Sequence, residues 1–415
     1  LGLACDGPKE QTWINQHAVS ISPSFSASPE TPSIPESPTS LSLVAFKDEI
    51  CLAYTRKTLL RGGPVDVALQ MIHPDGSDPS QDPGISLLRD AILSLAVAFF
   101  GSQHHQATIT MEGYHQYGTV LGRLNAHLIR PGLQTRDETV LTVLTCMLLE
   151  TFLPTGPNNF LKHLLGMEAI LELRGPPSMP MSDTGQALFM GLRILSITGG
   201  LVMSRPSLYS RPEWKAIHVV HKDAASEMRY RLYTVLADCT QLMASREAVL
   251  CSHSSQDILI LIDQTHSLYN ELELIYQDWL RDDQKQSGEH PCSNADGAPF
   301  ADYTSTTAHM LYNLARICLV DILDAMDPLP WSDAIRRDAA FEIIKNLEFK
   351  VNQQRLGAPE SNTIGFVATK VSWQALGGFN TPEGRELASV VRKAVNNIFD
   401  ISTWEDGPPI PHKAG

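Results

Sequence analysis

The sequence predicts an all-α fold: a large helical body of about ten to twelve helices, preceded by a disordered linker. Three observations carry this expectation. Apolar residues recur at three- and four-residue spacing from about Leu43 onward. Alternating strand patterns are nearly absent, with no βαβ spacing and no hairpin dipeptides between β-branched runs. Before the periodic region, thirteen of the twenty-one residues from Ser20 to Ser40 are Ser or Pro. Such a stretch buries too little apolar surface to offset chain entropy, and its prolines remove backbone donors.

The elements follow in order. Leu43, Phe46, Ile50 and Tyr54 begin an amphipathic helix that should end near Gly62-Gly63. Residues His73 to Gly84, rich in Pro, Asp and Gly, read as a loop. Ile85 to Phe100 is apolar nearly all round, as a central core helix is. Tyr114 to Ile129 places Tyr117, Leu121, Leu124 and Leu128 on one face, and Pro131-Gly132 stops it. Asp137 to Phe152 opens on two acids that suit the positive end of a helix. Asn158 to Arg174 stops at Gly175-Pro176-Pro177. Further helices are expected over about 184–204, 222–250, 255–281, 301–327, 332–355, 362–376 and 383–402. Arg281 to Pro299 reads as a polar loop.

Composition bounds the partners. The 415 residues carry a net charge of −14, and an acidic surface repels a phosphate backbone. Nucleic-acid binding therefore requires a separate basic module. Seven scattered cysteines, without short-range pairs, argue for a reducing compartment. No uninterrupted apolar run reaches the roughly 18 residues of a membrane span, so no membrane is expected as a partner.

Phe160-Leu161-Lys162-His163-Leu164-Leu165-Gly166-Met167-Glu168-Ala169-Ile170-Leu171-Glu172-Leu173-Arg174-Gly175-Pro176 is the most specific stretch. It resembles the His…Gly…Arg-Gly-Pro helix of the fungal-specific transcription factor regulatory domain. The helices from Ala91 to Phe100, Tyr117 to Leu128 and Asp137 to Glu150 resemble those that precede it in the family. Arg205…Ser210-Arg211-Pro212-Glu213-Trp214 resembles the family's Trp segment, and Phe366 to Leu376 and Gly384 to Val391 its closing helices. The resemblance covers about 43 to 402. Leu1 to Pro8, with Cys5, resembles the end of a Zn2Cys6 binuclear cluster. The expected order is therefore a cluster remnant over 1–8, a linker over 9–42 and a regulatory domain over 43–405.

That resemblance implies a nuclear, sequence-specific regulator of RNA polymerase II genes, a metabolic gene cluster among the candidate targets. DNA would be held by the cluster, in which six thiolates bind two zinc ions and Cys5 is the last ligand. In this chain Cys5 alone closes no site, and no zinc is expected. Protein co-regulators, a small effector and a homodimer are the further partners implied.

Other chemistry is thin. His163, Gly166, Arg174, Gly175 and Pro176 read as structural residues of the family helix rather than a catalytic set. His163 is expected to hydrogen-bond. Gly166 should let helices pack closely. Arg174 should serve the negative helix end before a Gly-Pro stop, or pair with a distant acid. His218 and His221 have the spacing of a helical chelate, and His104-His105 is the other close pair, but no Glu or Cys accompanies them in a metal motif. Asp282-Asp283 lacks the further acid of a terpene-cyclase metal site and reads as loop charge. Trp214 and Trp373 are expected in the core. No phosphate loop, dinucleotide fingerprint or Gly-flanked nucleophilic Ser appears. The expected protein is not an enzyme. An all-α enzyme such as a terpene cyclase-like protein and a stand-alone helical scaffold remain the alternatives.

Overall fold

The computed structural model describes residues 46–60, 63–72, 82–156, 159–177, 181–219, 221, 223–252, 254–287, 303–355 and 363–394. Among them lie fourteen α-helices and no strand. The expected linker and Cys5 fall outside the described residues.

The first group of helices is α1 (Lys47–Thr55), α2 (Pro64–Ile72), α3 (Pro83–Gln103), α4 (Ala107–Leu128), α5 (Asp137–Phe152) and α6 (Asn159–Arg174). α3 is its centre, packed against α1, α2, α4 and α5. Its start is set locally. The Asp82 carboxylate accepts from the backbone N–H of Gly84 at 2.7 Å, and Pro83 stands in the first turn, where no backbone donor is needed. Leu87, Leu88, Ile92, Leu95 and Phe99 are then buried. Gly113 on α4 lies against the backbone of Ala98 on α3, so an added Cβ would strike the neighbouring helix.

The second group comprises α9 (Ala224–Ser252), α10 (Ser255–Ser287), α11 (Tyr303–Met326), α12 (Ser332–Arg355), α13 (Thr363–Ala375) and α14 (Pro382–Ala394). α11 is its hub and touches α9, α10, α12 and α13. α10 buries Leu261, Thr265, Leu268, Leu272, Ile275 and Trp279 against α9 and α11. This alternation of fours and threes is a coiled-coil seam. α7 (Asp183–Met203) bridges the groups, touching α2 and α6 on one side and α9 and α13 on the other. One apolar cluster, from Leu60 to Ala388, runs through both groups. The short α8 (Pro212–Lys215) holds Trp214 in that cluster.

Several boundaries differ from expectation. α2 and α8 are additional helices. Pro64 starts α2 only one residue after Gly62-Gly63. α4 begins at Ala107, a full two turns before Tyr114, because the close approach to α3 places Gly113 inside the helix, where it weakens the sequence signal. α10 continues to Ser287 through Arg281–Ser287, which contains no Gly or Pro to break it. Asp282 and Asp283 are thus helical rather than in a loop. α3 and α7 are both long and apolar enough to cross a membrane, which uninterrupted run length did not indicate. Of their most apolar windows, 67% and 61% of residues are buried within the protein, so here they act as core helices.

Candidate functional site

α6 carries most of the residues singled out in the sequence, and the structure distributes them to different tasks. Leu164, Met167, Ile170 and Leu171 bury one face. His163 lies at the edge of that face. The Tyr117 hydroxyl donates to Glu150 Oε1 at 3.0 Å, and its oxygen lies 2.8 Å from His163 Nε2. With the tyrosine proton directed to Glu150, the neutral Nε2–H tautomer of His163 donates to that oxygen. Burial pulls the His163 pKa down, which favours this neutral form. Glu150 also accepts from the backbone N–H and the hydroxyl of Thr155, at 2.8 and 2.5 Å. The set ties α4, α5 and α6 together.

At the far end of α6, Arg174 pairs with Asp137 at 2.6 Å, joining the negative end of α6 to the start of α5. Gly175 then takes φ +76°, a left-handed conformation that suits glycine, and its N–H donates to Leu171 O at 2.9 Å. Pro176 follows on the surface. His163 and Arg174 are three turns apart, about 16 Å along the helix, so they form no common site. Gly166 corrects an expectation: a Cβ there would meet nothing within 4 Å, so it does not serve close helix packing. That task falls to Gly199 of α7, where a Cβ would run into the Leu164 side chain.

A buried polar cluster, which no motif in the sequence marks, is centred on Glu168. Ser196 donates to Glu168 Oε1 at 2.5 Å, and Arg205 lies 3.2 Å from Oε2. Ser196 and Ser207 hydroxyls are 2.8 Å apart, and the Ser207 N–H donates to Thr240 Oγ1 at 2.9 Å. α6, α7, α9 and the segment before α8 thus meet in one buried network. Burial raises the Glu168 pKa, with the Ser196 hydrogen bond and Arg205 opposing it. The available signal was a charge on the apolar face of α6, one turn after Leu164. No motif marks Arg193 either. It is the one charge in the apolar run from Leu188 to Met203.

Two further polar clusters lie in the second group. His309 Nδ1 is 2.8 Å from Asn346 Nδ2, while Tyr276 stacks on Tyr312 at 3.9 Å between ring centres. Burial pushes the His309 pKa down to about 4. Arg336 joins Asp321 at 3.0 Å and Asp324 at 3.4 Å, and it also pairs with Asp333. Burial raises Asp321 to about 6 despite that partner.

A zinc site finds no fit among the described residues. No three His, Cys, Asp or Glu side chains are grouped to hold a metal. Cys51, Cys146, Cys239 and Cys318 are buried free thiols, and burial pushes Cys318 up to about 12, away from the thiolate a metal needs. Cys5 and Cys292 lie outside the described residues. His218 and His221 sit in the non-helical segment after α8, so they lack the helical spacing of a chelate. His221 instead packs on the Tyr230 ring, 4.9 Å between centres.

A family model described as the fungal-specific transcription factor domain matches residues 64–359. The chain belongs to this family. The match takes in α2 to α12, including the whole of α6, and stops short of α13 and α14. The chain also shares 23% identity over 151 residues with the uncharacterized protein AN5342 of Emericella nidulans. That alignment covers 36% of this chain and 32% of the relative, so the chain spans about a third of the curated protein it matches. No solved structure matches.

Proposed function

We propose that the chain is the regulatory portion of a sequence-specific RNA polymerase II transcription factor of Zn2Cys6 type. The observation that carries this reading is the family match over residues 64–359 of an acidic, all-helical body. The acidic body supplies regulation rather than DNA contact, because its net charge opposes the phosphate backbone. DNA binding belongs to an N-terminal cluster with two zinc ions, for which Cys5 is the proposed last ligand. The protein acts in the nucleus. Its body answers to a small effector or a co-regulator, and metabolic genes are the proposed targets. It is not an enzyme.

The test is a reporter assay. Residues 1–415 are fused to an unrelated DNA-binding module in yeast, upstream of a gene carrying that module's site. The fusion should change reporter output several-fold relative to the module alone. An expressed, nuclear fusion that leaves output unchanged would sink the regulatory reading. For the cluster, the reading frame is extended upstream and zinc is counted by mass spectrometry. Two ions per chain are expected, and Cys5→Ser should lower that number.

A further inference from the structure

Side-chain contacts fix how α9, α10, α11 and α12 lie beside one another. Arg231 of α9 reaches Asp278 of α10 at 3.7 Å. The Tyr312 hydroxyl of α11 donates to Glu273 of α10 at 2.8 Å, and Tyr276 lies beside His309, 5.8 Å between ring centres. Arg336 of α12 meets Asp321 of α11 at 3.0 Å, and Asn346 meets His309 at 2.8 Å. In these contacts residue numbers rise along one helix as they fall along the next, so consecutive helices are antiparallel. Equal steps along each pair, at the common helical rise, locate one end of the bundle. The step from Arg231 to Leu250 equals that from Asp278 back to Leu259. The step from Tyr312 to Met326 equals that from Glu273 back to Leu259. The step from Asp321 to Met326 equals that from Arg336 back to Trp331. The last turns of α9 and α11 and the first turns of α10 and α12 therefore share one end.

That end is apolar and uncovered. Leu259 is 67% exposed and Trp331 44%, and Leu250 and Ile260 are exposed as well. α11, which touches the other three helices, ends among them at the half-buried Met326, and Pro328 and Pro330 are exposed beyond it. A tryptophan grouped with aliphatic side chains is the composition of an interface centre rather than of an ordinary surface. The surroundings are acidic. Glu247, Asp257, Asp263, Asp327 and Asp333 are exposed in the same turns. Arg246 pairs with Glu247, and the buried Arg336 is held by Asp321, Asp324 and Asp333. Arg337 is the further arginine in these turns, so acids predominate.

We propose that this end of the bundle is a docking surface for a basic, amphipathic helix of another protein. The apolar face of that helix covers Leu250, Leu259, Ile260 and Trp331, and its lysines or arginines meet the acidic rim. The same rim repels a nucleic-acid backbone, an anionic lipid surface and a second copy of this acidic end. The proposal deepens the co-regulator reading by naming the partner's chemistry, and it rests on that reading only for its biological use. Binding is measured without transcription, so either statement can fail alone.

The probe is a fluorescein-labelled amphipathic helix of leucine and lysine, about four turns long, titrated with the full chain and followed by anisotropy. One control peptide replaces lysine by glutamate, and another scrambles the order so that no apolar face forms. The leucine–lysine helix should bind about tenfold tighter than either control, and added salt should weaken it. Leu259→Ser combined with Trp331→Ser should weaken binding by about tenfold, whereas Ile129→Ser, at the exposed end of α4, should leave it unchanged. No binding, equal binding of a control peptide, or affinity retained by the double variant would overturn the surface. A dimer seen by light scattering that the double variant dissociates would assign the face to a second copy and overturn it too. Should the double variant not fold, a photoreactive leucine in the probe is cross-linked to the wild-type chain. Label in peptides spanning 247–263 or 325–337 supports the surface, and label confined to other peptides overturns it.

Discussion

At the residue scale, α6 separates positions that look alike in sequence. Gly166 and Gly199 both sit inside helices, but only Gly199 meets a neighbour. Gly166→Ala should therefore raise stability by about 0.5–1 kcal/mol through helix propensity. Gly199→Ala should cost about 1–3 kcal/mol by overpacking against Leu164. Urea denaturation of both variants distinguishes them, and equal responses would contradict the packing described. Tyr117→Phe should cost about 1–2 kcal/mol, since it leaves His163 and Glu150 without their shared hydroxyl. The sequence disclosed that His163 would bond, but not to what, because Tyr117 lies 46 residues away in the chain. It likewise disclosed the Arg174-Gly175 helix end, a local effect of a last-turn cation and a left-handed glycine. Glu168 and Arg193 each stood out as a charge in an apolar stretch, but their partners were illegible because these depend on which helix covers them.

At the element scale, the long helices were legible because each has a sustained apolar face and a local stop. α2, the first two turns of α4 and the last turns of α10 were not, for an opposite reason in each case. Pro64 reads as a breaker yet starts a helix, Gly113 reads as a weakness yet is a contact, and Arg281–Ser287 is polar yet contains nothing that ends a helix. The α10 seam gives a sharp test. Leu272 is fully buried whereas Leu274, two residues on, is 62% exposed. Leu272→Ala should cost about 2–5 kcal/mol, while Leu274→Ala should change stability by less than about 0.5 kcal/mol. Thermal or urea unfolding of the two variants would reveal a misassigned seam if their losses were similar. In related chains, substitution along this helix should follow a seven-residue rhythm.

At the scale of the whole molecule, two buried groups oppose each other as pH changes. His309 has its pKa lowered from 6.5 to about 4, so its stabilisation is present above 6.5 and lost as pH falls through about 4. From pH 7.5 to 5 that loss amounts to about 2 kcal/mol. Asp321 has its pKa raised from 3.8 to about 6, so its stabilisation is present below 3.8 and lost as pH rises through about 6. Denaturant midpoints of Asp321→Asn should therefore fall more steeply on acidification from pH 7 to 5 than those of the parent. His309→Gln should show a shallower fall than the parent, and parallel profiles for all three chains would refute both assignments. The Glu168 network also has a consequence in time. Its Ser207 amide belongs to the connection between α7 and α8, where fast solvent exchange is the usual expectation. Here that N–H is buried against Thr240 at the junction of the two helix groups. Hydrogen–deuterium exchange should find it among the slow amides, opening only when the two groups come apart.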